Sequence, residues 1–137
     1  MPSDCSFCAI AADAVAAEVV FEDETTLAFL DHRPLFAGHV LLVPRAHHET
    51  IEDLPATEVE RFFLNGRRLA VAVRTAMGAD GTFMAINNVV SQSVPHLHLH
   101  VVPRIRGDGL RGFFWPRHPY AEGEMVAAAE RIRAALD

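Results

Sequence analysis

The order of apolar and polar positions predicts a hairpin, a third strand, a long helix, two further strands and a closing helix. Phe7 to Val15 reads as a short helix ahead of this series. Val19–Glu22 and Thr26–Leu30 are apolar-rich runs around Asp23-Glu24-Thr25, the pattern of a hairpin. Gly38–Pro44 is almost continuously apolar, as expected of a strand covered on both faces. Thr57-Glu58-Val59-Glu60 has the form of a capping box. The helix it would open carries Val59, Phe62, Phe63, Leu69, Ala70, Val73 and Met77 on one stripe, with Gly78 as its stop. Phe83–Asn87 and His96–Pro103 read as the fourth and fifth strands. Met125, Ala128, Ala129, Ile132 and Leu136 recur at helical spacing. The expected class is α+β: a five-stranded, mainly antiparallel sheet with a long helix and a C-terminal helix.

Composition narrows the chemistry. The 137 residues favour a single domain over 1–137, and half of them are apolar, enough for a core without disulfide staples. A net charge of −6 argues against a nucleic-acid partner, which needs a broad basic surface. All twelve basic residues are arginine, so neither a Schiff-base lysine nor a phosphate-loop lysine is available. No run approaches the roughly 18 apolar residues of a membrane span, and the start has no secretory pattern, so a cytoplasmic location is expected. Cys5 and Cys8 stand three apart, which without export points to metal or redox chemistry before a structural disulfide.

The informative segment is Pro95-His96-Leu97-His98-Leu99-His100-Val101-Val102-Pro103. Strand alternation puts His96, His98 and His100 on one face at a spacing of ~7 Å, with Leu97, Leu99 and Val101 on the other. Three readings compete: a chance surface cluster, a metal site built from the three imidazoles, and a nucleophilic histidine supported by its neighbours. Spacing does not separate the last two.

The run His96-Leu97-His98-Leu99-His100-Val101-Val102 resembles the signature of the histidine-triad (HIT) family at every position. Other landmarks follow in family order: Cys5-x-x-Cys8, Phe29-Leu30-Asp31, Gly38-His39-Val40-Leu41-Leu42-Val43-Pro44, Pro44-Arg45-x-His47 and Gln92-Ser93-Val94. The resemblance covers most of the chain. It implies a HIT-like fold, a homodimer joining two five-stranded sheets with the Thr57 helix near the contact, and hydrolysis or nucleotidyl transfer at the α-phosphorus of a purine nucleotide.

On that resemblance His98 is the nucleophile, His100 orients the phosphate or protonates the leaving group, and His39 backs the triad. Gln92 and Ser93 match the pair that contacts phosphate. Asp31 matches the acid that binds ribose hydroxyls, Phe29 and Leu30 form the base slot, and Asn87 contacts ribose or phosphate. Cys5, Cys8, His47 and His96 resemble the structural zinc set of the cysteine-bearing branch, with His48 as the rival to His47. Two departures stand out. Asn87–Ser91 is short and lacks the glycine of many relatives. Arg104–Arg117 carries four arginines against one aspartate, a receiver for a polyphosphate tail or a solvated loop. Trp115 bears a weak likeness to an aromatic tail that reaches a partner subunit.

Overall fold

The computed structural model describes residues 4–110 and 117–136. Five strands, β1 (Val19–Glu22), β2 (Thr26–Leu30), β3 (Val40–Pro44), β4 (Gly81–Ala85) and β5 (Leu99–Arg104), form one sheet in the order β1-β2-β3-β5-β4. Every pairing is antiparallel. Helix α1 (Ser6–Ala11) lies near the start, α2 (Ala56–Ala76) links β3 to β4, and α3 (Glu124–Leu136) closes the chain. No described helix is long and apolar enough to cross a membrane.

The central strand, β3, is buried at all five positions, which explains its unbroken apolar run. Strand alternation sorts the sheet into two cores. Ala28, Val40, Leu42, Leu99 and Val101 join Phe62, Leu69 and Val73 of α2 on one face. Leu27, Phe29, Leu41 and Val43 join Cys5, Phe7 and Cys8 on the other. The histidines of the triad fall on this second face, because Leu41 pairs with His100 and the intervening Leu97, Leu99 and Val101 enter the α2 core.

Several boundaries depart from those expected. Thr57 does not cap α2; Pro55 occupies the N-cap and Thr57 lies in the first turn. The reciprocal box sits upstream, where Asp53 accepts from the Thr50 N–H at 3.0 Å and caps a short 3-10 turn. The buried stripe of α2 is Phe62, Asn65, Gly66, Leu69 and Val73; Phe63 and Met77 are exposed. Phe63 lies one residue round the helix, edge-on to Phe62 at 5.5 Å. Gly66 lets α2 sit closely on β5, since a Cβ there would fall 2.7 Å from Leu99 Cδ2. Helix α1 ends at Ala11 instead of Val15, with Asp13 in a left-handed turn. Strand β4 runs two residues earlier than expected, and Asn87 falls in the following loop.

Strand β5 begins at Leu99 and not His96. Pro95 cannot donate to a ladder, and the next groups find other partners: the Leu97 N–H donates to His48 O at 2.7 Å and the His96 ring bonds Pro44 O at 2.8 Å.

Asn65 is the polar exception on the buried face of α2. Its amide donates to Asp23 Oδ2 at 2.8 Å and to Thr26 Oγ1 at 2.9 Å, tying the helix to the β1–β2 turn. Burial alone would raise the Asp23 carboxyl, but hydrogen bonds from Asn65, Thr26 and Thr25 outweigh it and lower the pKa from 3.8 to about 2. A depressed carboxylate stabilises the fold above pH 3.8 and loses that contribution as pH falls through about 2. Asn65→Ala is therefore expected to cost about 1–3 kcal/mol at neutral pH. Urea unfolding at pH 7 and pH 3 should show a smaller acid-induced loss in the variant than in the wild type.

Candidate active site and metal centre

A cleft of about 970 Å³ opens on the second face of the sheet, within the range of small-ligand sites. Its apolar wall includes Phe7, Ile10, Phe29, Leu41 and Val94; its polar end carries Asp31, Ser93, His98 and His100. Phe7 stands edge-on to Phe29 at 5.4 Å and to His98 at 5.1 Å. An apolar slot thus leads directly to an imidazole, a shape suited to a flat ring joined to a charged group.

The hydrogen bonds fix the tautomer of each histidine. A carbonyl only accepts, so the contact of His98 Nδ1 with His96 O at 2.8 Å places the proton on Nδ1 and leaves Nε2 with a bare lone pair. Next to it runs a second chain. The Leu35 N–H donates to His39 Nδ1 at 3.1 Å, so His39 carries its proton on Nε2 and gives it to His100 Nδ1 at 2.9 Å. His100 is left with a donor at Nε2. Its ring centroid lies 5.0 Å from that of His98. The site therefore pairs one unprotonated nitrogen with one neighbouring donor.

Desolvation keeps His39 and His100 neutral. Burial, then the nearby His98 and His39, push His100 down to about 4. Burial also lowers His39, against the pull of the Asp31 carboxylate 3.8 Å away. Asp31 accepts from the Arg33 N–H at 2.9 Å, which holds its carboxylate at the cleft wall.

His96 turns to a second cluster. Its Nε2–H donates to Pro44 O, so its bare Nδ1 faces Cys5 Sγ at 3.4 Å and Cys8 Sγ at 3.5 Å. His47 Nδ1 lies 3.3 Å from Cys8 Sγ. The four donor atoms lie within 4.8 Å of one another. Zinc bond lengths and a tetrahedral angle give sulfur–nitrogen edges of about 3.5 Å, so the donor set fits that ion. Burial, then the adjacent Cys5, push the Cys8 thiol up to about 11, and a cation at this point would supply the missing counter-charge. The three imidazoles do not converge on one ion: His96 groups with the cysteines, and His100 with Asp31 and His39.

Of the residues singled out in the sequence, His98, His100, Asp31, Phe29, Leu30 and Ser93 line the cleft, and His39 lies buried behind His100. Cys5, Cys8, His47 and His96 are gathered in the second cluster, which His48 does not join. Gln92 and Asn87 do not line the cleft. The Gln92 amide donates to Glu49 O at 2.6 Å and accepts from the Val89 N–H at 2.9 Å; Asn87 donates to Ser91 O at 3.3 Å. The Arg104 guanidinium is held by Asp108 at 2.6 Å and Leu110 O at 2.8 Å, a role within its own loop. Arg111 and Trp115 lie outside the described residues. Sequence reading missed Phe7, whose signal was its place between the two cysteines, and Arg33, which lines the cleft beside Asp31.

Residues 13–107 match the HIT domain family, and the chain belongs to it. An uncharacterized HIT-like protein of Methanocaldococcus jannaschii is 42% identical over 107 residues, covering 77% of this chain and 82% of that one. An adenylylsulfatase of Arabidopsis thaliana is 31% identical over 112 residues, 80% of this chain and 57% of its own length. A bis(5'-nucleosyl)-tetraphosphatase of Schizosaccharomyces pombe is 28% identical over 96 residues, 69% of this chain and 53% of its own. Among solved structures, a Streptococcus mutans protein superposes with a TM-score of 0.91 at 31% identity, covering 100% of this chain and 88% of that one. A Zn-bound histidine-triad protein of Mycobacterium smegmatis superposes at 0.74 with 38% identity, covering 96% and 97%.

Proposed function

We propose that this chain cleaves nucleoside 5'-phosphate derivatives at the α-phosphorus, by hydrolysis or nucleotidyl transfer, through a nucleotidyl-histidine on His98. The observation that carries the reading is the bare Nε2 of His98, whose other nitrogen is locked on the His96 carbonyl. That lone pair attacks phosphorus, a P–N bond forms, and the bond to the leaving group breaks with its electrons leaving on that group. The Nε2–H of His100 donates a hydrogen bond to the departing group, which takes its proton from solvent. In the return step water attacks phosphorus, the P–N bond breaks with its electrons returning to His98 Nε2, and the proton of the attacking water passes to solvent. The positive charge on the nucleotidyl-imidazole is met by the carbonyl dipole of His96. Phe7, Phe29 and Leu30 hold the purine, Asp31 the ribose hydroxyls, and Ser93 the phosphate.

Cys5, Cys8, His47 and His96 would hold zinc in a closed tetrahedral site, which supplies a structural clamp on the turn that carries Phe7. With β4 at the outer edge of the sheet and Phe63, Leu64 and Val71 exposed on α2, the active form is proposed to be a homodimer.

Incubation with an adenosine phosphoramidate, adenosine 5'-phosphosulfate and diadenosine tetraphosphate, with products followed by chromatography, tests the reading. AMP release from at least one supports it; tight AMP binding without turnover of any would make the chain a nucleotide-binding module instead. His39→Leu removes the donor that orients His100. It is expected to lower kcat roughly 10–100-fold with little change in KM, in steady-state assays on whichever substrate turns over.

A further inference from the structure

The loop between β4 and the histidines carries two left-handed residues without glycine: Val89 at φ 70° and Ser91 at φ 63°. A β-branched residue in that region is a strained outlier, so the surroundings must hold it there. They do so through two amide side chains. The Gln92 side chain accepts from the Val89 N–H and donates to Glu49 O, while Asn88 Oδ1 accepts from the Ile51 N–H at 2.9 Å. The loop is thus fastened to residues 49–51, just after His47 of the cysteine cluster. Its other end runs straight into Ser93 and Val94, which line the cleft. Both Val89 and Val90 are left largely exposed, so apolar burial contributes little to holding the turn.

We propose that Gln92 is a positioning residue: its amide latches a strained Val89–Ser91 turn onto Glu49, and so sets where Ser93 and Val94 stand at the phosphate end of the cleft. The role rests on the nucleotide reading above only for its effect on turnover; the latch itself is a property of the loop. Its two hydrogen bonds hold a conformation that valine resists. Without them Val89 relaxes toward negative φ and carries Ser93 with it. Glycine at position 89 adopts the left-handed angle without steric cost and removes the need for the latch.

The test compares the wild type, Gln92→Ala, Val89→Gly and the double variant, with three readouts: amide exchange at residues 88–93, AMP affinity and steady-state turnover. Gln92→Ala is expected to speed exchange of the Val89 N–H and to weaken AMP binding and kcat/KM roughly tenfold, the effect of two ordinary hydrogen bonds. Val89→Gly alone should stay near wild type. The double variant should recover AMP affinity and kcat/KM to within about threefold. If Gln92 acts on substrate directly, Val89→Gly will not restore turnover in the double variant, and the positioning role is overturned. If exchange at Val89 is the same with and without the Gln92 amide, the latch is overturned whether or not the chain proves to be an enzyme. A wild type that binds AMP but turns nothing over would count against the enzymatic reading alone, since exchange and AMP affinity still decide the latch.

Discussion

Replacing His98 with alanine is expected to reduce turnover by ~10³-fold or more while AMP still binds within a few-fold of wild type. Removing a nucleophile leaves the bound state and takes away the reacting atom, so the loss falls on kcat. On the proposed reading Phe7, Phe29 and Leu30 take the base and Asp31 the ribose; all four line the cleft, and the side-chain hydrogen bond of His98 runs to the His96 carbonyl, not to any of them. Folding should survive as well. Among the described residues, the His98 side chain hydrogen-bonds the carbonyl two residues before it, and its replacement opens onto a cleft instead of leaving a closed void. His98→Asn, which keeps a polar side chain but no nucleophilic nitrogen, should be as inactive as alanine. Circular dichroism and AMP titration alongside the assay separate this outcome from misfolding. A variant that keeps wild-type turnover would remove His98 from the mechanism.

The second large effect is expected at the cysteine cluster. Purified protein should carry about one zinc per chain, and Cys8→Ser or Cys5→Ser should lose it. His96 is fully buried, and its bare Nδ1 faces both sulfurs, so opening the site strands several polar atoms in an apolar setting. We expect a loss of roughly 3 kcal/mol or more, seen as a fall in Tm of ~10 °C. The consequence should reach the cleft. Phe7 lies between the two cysteines and packs on His96, His98 and Phe29 at once, so loosening the turn moves the apolar wall of the cleft. AMP affinity should drop roughly tenfold, about the value of one well-packed aromatic contact. Metal analysis with calorimetry checks both parts. Zinc retained by Cys8→Ser but lost from His98→Ala or His100→Ala would place the ion on the triad instead.

Much of this layout is legible in the sequence because two periodicities dominate it. The alternation of His96, His98 and His100 with Leu97, Leu99 and Val101 puts the imidazoles on one face even though only His100 of the three lies within β5. The unbroken apolar run of β3 marks the central strand. The hairpin turn at Asp23 follows from its side chain accepting two backbone N–H groups. What escapes sequence reading depends on partners distant along the chain. The start of β5 is decided by Pro95 and by bonds to His48 and Pro44, none visible in a local window. Asn65 looks like any polar residue of a helix until Asp23 and Thr26 are placed beside it. Phe7 reads as one apolar residue of a short helix, and only the fold of the cysteine turn brings it edge-on to His98. Gln92 belongs with these: a motif position suggests contact with phosphate, and no local window shows that its amide also bonds Glu49 O and the Val89 N–H.

The most direct test is to stop a single turnover within milliseconds in cold alkali, where a phosphorus–nitrogen bond survives, and to map the protein by mass spectrometry. A nucleotidyl group is expected on the peptide spanning residues 96–100, located at His98 and absent from His98→Ala. Full turnover with no adduct at any time point would mean that water attacks phosphorus directly, and would contradict it.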